Sequence, residues 1–363
     1  MSTLSSPPEA PPTAGLTPAP TAGAPDTPPP HAVLIQMAGA LVLSRALYAV
    51  AEIGVADHLA DGPRPADALA RLTGSHAPSL YRLLRTLASV GVFTEDADRR
   101  FALTPLGAAL RSDAPGAGRS SVRTFGGPAM WASFGEFLHA VRTGETGAER
   151  ALGQPIFAYF GGRPEEAALF GETMLGYHGA EPPAVAAAYD FAGVRTLVDV
   201  GGGIGTLLAT VLEAHPGMRG VLLELPHVTA DARARLAAAG LAGRCTVVEG
   251  DFFEAVPPGG DAYVLSHVIH DWDEARCQAV LANCRRAMGG RGRLLLVEAV
   301  LPPGDAPHPG KMLDLVMLTV TGGRERSEAE YAALLAAAGF TLTRVVPTAS
   351  QASVIEAVPA APV

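Results

Sequence analysis

Leu197-Val-Asp-Val200 runs straight into Gly201-Gly-Gly203-Ile-Gly205, and a helix-length segment starts at Thr206. A short β-prone run that ends on glycines and hands over to a helix opens a strand–turn–helix unit. The pattern then repeats. Candidate strands are Thr196 to Val200, Gly220 to Leu225, Cys245 to Glu249, Asp261 to Ser266, Arg293 to Val300, Thr341 to Val346 and Gln351 to Ala357, all but the last pair separated by intervening segments long enough for crossovers. Such alternation predicts an α/β domain built on a largely parallel sheet. The last two strands have no room for a helix between them, so they should close the sheet as an antiparallel hairpin, unlike an ordinary dinucleotide-binding sheet.

In an open parallel sheet the first strand-to-helix turn is a ligand crevice, and glycines there let a ligand approach the backbone. A nucleotide is the natural occupant. A dehydrogenase fingerprint fits incompletely, because Gly201 and Gly203 satisfy its first two glycines while its third position holds Thr206. Glu224 ends the next strand, where a carboxylate can accept from both hydroxyls of a ribose. Asp251-Phe252 follow the third strand; an Asp there can accept from an adenine amino group while the aromatic covers the ring, although Asp at a strand end also forms plain turns. After the fourth strand comes Ser266-His-Val-Ile-His-Asp-Trp-Asp-Glu274, the densest polar cluster that follows a strand. It brings His267, His270 and Asp271 to the same sheet edge. A histidine beside an acid suits proton abstraction, its unperturbed pKa being about 6.5.

Ahead of this domain the chain changes character. Ten of the first thirty residues are proline, which predicts a disordered tail over residues 1–30. Residues 31–115 read as an apolar first helix, a short second one, helices from Ala66 to Leu72 and from Pro78, and a two-stranded hairpin from Val92 and Phe101, a winged-helix-like order. A DNA-binding module would use Arg82 and Arg85, but a net charge of -9 and the lack of a basic run oppose that. The apolar first helix favours a dimerisation module, and a DNA-binding, ligand-sensing regulator remains the alternative from another class. That helix is interrupted by Gln36, Ser44 and Arg45, so no membrane partner is expected. Residues 116–190 read as a helical segment whose aromatics and methionines are mostly core, with some lining an apolar pocket. Three cysteines without CxxC spacing indicate neither a disulfide framework nor a zinc site, and suggest a cytoplasmic protein.

Leu197-Val-Asp-Val-Gly-Gly-Gly-Ile-Gly205, Glu224-Leu-Pro-His-Val228, Gly250-Asp-Phe-Phe253, His267-Val-Ile-His-Asp-Trp-Asp-Glu274 and Gly322-Gly-Arg-Glu-Arg-Ser327 together resemble the caffeic-acid-type small-molecule O-methyltransferases, in their bacterial natural-product branch. The resemblance spans residues 31–358. It implies a class I Rossmann-like methyltransferase sheet over residues 191–358, preceded by a winged-helix dimerisation domain, a homodimer, and S-adenosyl-L-methionine as methyl donor without a metal. Gly201, Glu224, Asp251 and Phe252 match the cofactor positions, His270 the general base, and Glu298 and Glu325 the carboxylates that bracket it. Met174 matches a methionine near the methyl donor, and Asp271 is expected on the acceptor side. Ser266 stands where plant members carry a lysine, so part of the adenosine contact must differ. The implied acceptor is a phenolic or polyketide-type molecule; nitrogen or carbon methylation, or diverted chemistry on the same fold, stays open.

Overall fold

The computed structural model describes residues 28–361; the proline-rich tail falls almost wholly outside them. Contacts divide the chain into Met1–Ser44 and Arg45–Val363, with the boundary inside the first helix, α1 (Pro30–Glu52). In the first unit Leu34, Ile35, Met37, Leu41 and Val42 are exposed. By length and composition α1 could cross a bilayer despite its polar interruptions, so the sequence argument against that was too strict.

The second unit opens with α2 (Val55–His58), β1 (Arg64–Pro65), α3 (Ala66–Thr73), α4 (Ala77–Ser89), β2 (Phe93–Glu95) and β3 (Arg100–Leu103). Gly74 ends α3 in a left-handed conformation, and Leu80, Leu84 and Leu87 form the buried stripe of α4 while Arg82 and Arg85 stay exposed. The expected hairpin is a three-stranded sheet of order β1-β3-β2, because Arg64 and Pro65 pair with Phe101 and Arg100. Two residues carry no periodicity, which hid that strand from the sequence.

Short helices follow: α5 (Pro105–Ala108), α6 (Gly118–Phe125), α7 (Pro128–Gly135), α8 (Phe137–Thr143), α9 (Gly147–Leu152), α10 (Ile156–Gly161), α11 (Pro164–Tyr177) and α12 (Glu181–Ala188). The aromatics and methionines here are less buried than expected. Met130 and Phe160 are core, but Phe125, Trp131, Phe134, Phe157 and Tyr177 are exposed. Helices of two turns bury one face, and neighbours such as Met130 and Trp131 point to different sides.

The large sheet contains β4 (Thr196–Val200), β5 (Arg219–Glu224), β6 (Cys245–Glu249), β7 (Ala262–Ser266), β8 (Arg293–Leu301), β10 (Phe340–Pro347) and β11 (Ala352–Pro359), in the order β10-β11-β8-β7-β4-β5-β6. The chain reverses spatial direction after β6, so the carboxyl ends of β4 and β7 flank a switch point, where open α/β sheets place their ligands. The last hairpin is antiparallel, with β11 also antiparallel to β8, as expected. A two-residue strand, β9 (Arg326–Ser327), extends β8 and was not foreseen. Helices α13 (Thr206–Ala214), α14 (Pro226–Ala238), α15 (Glu274–Met288), α16 (Pro309–Val320) and α17 (Glu328–Ala337) complete the domain. Residues such as Leu197, Leu208 and Leu222 fill one face of the sheet; Val198, Leu281 and Leu296 fill the other. Cys277 and Cys284 are free, buried thiols, pushed up to about 11 and about 12 by desolvation.

Candidate active site

The glycine turn after β4 leaves its backbone open. Gly201, Gly203 and Gly205 have φ of 70°, 58° and 77°, the left-handed region that other residues rarely adopt. A Cβ on Gly202 would lie 2.3 Å from the Asp199 carboxyl, whereas one on Gly203 would meet nothing within 4 Å. No side chain caps the start of α13, so its N-terminal N–H groups keep their partial positive charge.

Around this turn stand the groups read from the sequence. Glu224 Oε2 accepts from Gly203 N at 2.8 Å, which ties the end of β5 to the loop, and Oε1 accepts from Leu225 N at 2.8 Å. Asp251 Oδ1 accepts from Phe253 N at 2.8 Å, so it also forms the plain turn that the residue type allows. The Phe252 ring covers Gly201, whose Cβ would sit 3.1 Å from the ring. Ser266 ends β7, half-buried. Asp199 is fully buried; desolvation, then the Glu224 charge, pushes its carboxyl up to about 7 against the opposing effect of the Leu208 backbone N–H. Thr206 Oγ1 is a buried polar atom without a partner. A loop open to the backbone, a carboxylate, an aromatic cover and an unpaired hydroxyl fit a nucleoside bearing a charged tail.

Past β7 the chain tightens into a 3-10 turn, Ile269–Asp271, that carries His270 into the interior. His270 Nδ1 lies 2.7 Å from Glu325 Oε1 and 3.5 Å from Glu298 Oε2. Glu298, on β8, turns its other oxygen to the backbone: Oε1 accepts from Ile269 N at 2.9 Å and His270 N at 3.4 Å. Glu325, just before β9, is fixed by its own N–H donating to Asp314 Oδ1 at 2.8 Å. Burial lowers His270, raises Glu298 well above its usual range and lifts Glu325 to about 7. Asp271 Oδ1 lies 3.8 Å from His270 Nε2, and burial lifts Asp271 to about 6. A neutral imidazole with Nδ1 bound by a carboxylate presents a lone pair at Nε2, the arrangement of a general base.

Several residues of this region were not singled out by the sequence. His178 and Glu181, at the α11–α12 junction, reach His267 beside the turn. The buried Arg326 donates from Nη1 to the carbonyl oxygen of Ile269 at 3.5 Å, and a Cβ on Gly323 would fall 1.9 Å from the His270 carbonyl oxygen. Met174, which the sequence did single out, is half-buried one turn ahead of His178, whose N–H it accepts at 3.0 Å through its carbonyl oxygen.

Residues 134–341, more than half of the chain, match the O-methyltransferase domain, and residues 35–113 match the O-methyltransferase dimerisation domain. The chain belongs to the O-methyltransferase family. It is 45% identical over 331 residues to the phenazine O-methyltransferase PhzM of Lysobacter antibioticus, covering 91% of this chain and 97% of that one. It is also 37% identical over 315 residues to the 8-amino-8-demethylriboflavin N,N-dimethyltransferase of Streptomyces davaonensis, covering 85% and 90%. Among solved structures, the O-methyltransferase NcsB1 from neocarzinostatin biosynthesis, in complex with S-adenosylmethionine and 2-hydroxy-5-methyl naphthoic acid, superposes with a TM-score of 0.79 at 38% identity, over 87% of this chain and 96% of that one.

For this O-methyltransferase the match assigns most of α1 through α5 to the dimerisation domain, which gives the exposed apolar residues of α1 a second copy of the chain as their natural cover. Two groups of His and Glu side chains gather near the turn with ligand-type atoms within 4.8 Å: His178, Glu181 and His267, and His267, His270 and Glu298. Two donors held tetrahedrally at zinc distances stand about 3.3 Å apart. His267 Nε2 and Glu181 Oε2 are 2.5 Å apart, a hydrogen-bond length.

Proposed function

We propose that this O-methyltransferase transfers the methyl group of S-adenosyl-L-methionine to a phenolic hydroxyl of an aromatic or polyketide-type small molecule, with His270 as general base. The observation that carries the reading is the buried His270–Glu325 bond of 2.7 Å beside the glycine turn. The cofactor supplies an electrophilic methyl on a sulfonium. Gly201 to Gly205 and the free end of α13 would receive its charged tail, Glu224 its ribose, Asp251 and Phe252 its adenine, and Ser266 would lie beside the adenosine. A phenol of pKa about 10 is a poor nucleophile at neutral pH. His270 Nε2 would take its proton as the oxygen attacks, while Glu325 stabilises the imidazolium through Nδ1–H. Such base assistance is worth roughly a hundredfold to ten-thousandfold, and alignment of the reactants supplies much of the remainder. Asp271, next to Nε2, and Met174, ahead of the α11–α12 junction, belong to the acceptor side of this reading.

The net charge of -9 disfavours a nucleic-acid partner. Turnover of phenolic, polyketide and arylamine panels with methyl-labelled cofactor tests this directly. Phenols should be methylated, His270→Ala should lose at least a hundredfold in kcat, and excess EDTA should leave the rate unchanged. Methylation of arylamines alone, undiminished turnover by His270→Ala, or loss of activity in EDTA would each count against the reading.

A further inference from the structure

The left-handed backbone of His267 is the one feature of the turn that the mechanism leaves unexplained. Its φ is 53°, and Arg99 is the only other non-glycine residue with positive φ among those described. A β-carbon makes that conformation costly, so it persists only where side-chain contacts hold it. The conformation matters because the chain turns here from β7 into the segment that presents His270. His267 N still donates to Val297 O at 3.1 Å, the last rung between β7 and β8, and two residues later Ile269 N is on Glu298.

What holds the side chain comes from far along the sequence. Glu181, the first residue of α12 and only 7% exposed, accepts from His267 Nε2 at 2.5 Å across a separation of 86 residues. The same oxygen lies 3.2 Å from His178 Nδ1, and the His178 and His267 ring centroids are 3.9 Å apart. One carboxylate oxygen therefore lies against two imidazoles whose planes are tilted by 35°. Burial lowers His267 to about 4, while its two histidine partners hold Glu181 down at about 2 against the cost of its own burial. At neutral pH a neutral His267 donates to an anionic Glu181, and its ring sits 5.2 Å from that of His270.

We propose that Glu181 is a positioning residue for methyl transfer, acting through His267 to fix the turn that presents His270 and thereby coupling the α11–α12 junction to the base. This rests on His270 being that base. The charged and titratable groups facing His270 are Asp271 and His267 on the turn, Glu298 from β8, Glu325 and Arg326 at β9, and His178 and Glu181 from the α11–α12 junction. Burial lowers the His270 pKa most; Asp271 and then Glu181 raise it, while His178 and Arg326 lower it.

Three variants test the assignment, each read by kcat, by calorimetric affinity for S-adenosylmethionine and by titration of the His270 ring in NMR. Glu181→Ala should lose roughly tenfold to hundredfold in kcat while cofactor affinity stays within about threefold, the scale of one charge-assisted hydrogen bond. Glu181→Gln keeps an acceptor for Nε2–H without the charge. It should recover most of kcat yet lower the His270 titration. His267→Asn tolerates the left-handed backbone but loses the reach to Glu181, and it should match Glu181→Ala. The double variant Glu181→Ala with His267→Asn should be no worse than either alone, because both remove one interaction. Multiplying losses, an unmoved His270 titration in Glu181→Gln, or a Glu181→Ala enzyme within twofold of the parent would overturn the proposal. The failure of His270 as base would show separately, as an active His270→Ala enzyme.

Discussion

Glu325→Gln isolates what the carboxylate beside His270 contributes, since the amide keeps the shape and can still accept from Nδ1–H. What disappears is the charge. A hydrogen bond to a charged group contributes about 1.5–3 kcal/mol, so removing the charge that stabilises the imidazolium should lower kcat roughly 10- to 150-fold at pH 8. The pH profile sharpens the test. Burial lifts Glu325 to about 7. Above that pH it is a carboxylate accepting from Nδ1, and Nε2 carries the lone pair. Below it, Glu325 holds a proton and donates to Nδ1, the ring proton moves to Nε2, and the base is lost. The parent enzyme should therefore lose kcat as pH falls through about 7. In Glu325→Gln that limb should move to lower pH, because only the imidazole, which burial lowers, remains to titrate. Glu298→Gln is the internal control. Burial raises Glu298 well above its usual range, and Gln would retain the bonds from Ile269 N and His270 N, so kcat should fall by less than about fivefold. Steady-state rates from pH 5.5 to 9 with saturating cofactor decide the matter. A Glu325→Gln enzyme within threefold of the parent, an acid limb that stays near 7, or a larger loss from Glu298→Gln would refute the assignment of Glu325 as the partner of the base.

Gly323→Ala should lower kcat at least tenfold with cofactor affinity within threefold by calorimetry, because its Cβ would fall 1.9 Å from the His270 carbonyl oxygen and displace the turn rather than the glycine loop. Stability should also depend on pH. Asp199 is raised in the fold to about 7 from 3.8, so the stability it contributes is fully present below about 3.8 and lost as pH rises through about 7, on the order of 4 kcal/mol. Asp271 and Glu325 act in the same direction; Glu181, lowered to about 2, loses its contribution only in acid, and His267, lowered to about 4, opposes the trend only below about 6.5. The melting temperature should thus fall between pH 5 and 8 in thermal-shift measurements, and less steeply in Asp199→Asn.

The parts of the site that were legible in the sequence share one property. Gly201 to Gly205, Glu224, Asp251 and His270 each sit at or within a few residues of the carboxyl end of a parallel strand, so reading the strands places them on one edge without knowing any tertiary contact. The terminal hairpin was legible for a related reason, since only a few residues separate its strands. Glu298 and Glu325 needed more: nothing local marks them, and they entered through resemblance to a family. Arg326 and Gly323 lay in the same quoted segment, but their packing against the turn is visible only in three dimensions.

The region that stayed illegible is the junction of α11 and α12. His178 and Glu181 stand three residues apart at a helix boundary, and residue type alone gives no reason to bring Glu181 to a histidine 86 positions away. The φ of His267 is equally silent in the sequence, because a histidine after a strand implies an extended backbone until a partner holds it otherwise. The sheet edge therefore locates the chemistry, whereas the orientation of the base depends on a contact made across the fold. In sequence, such a contact would appear as Glu181 and His267 changing together, and the double variant would show the same coupling in kinetics.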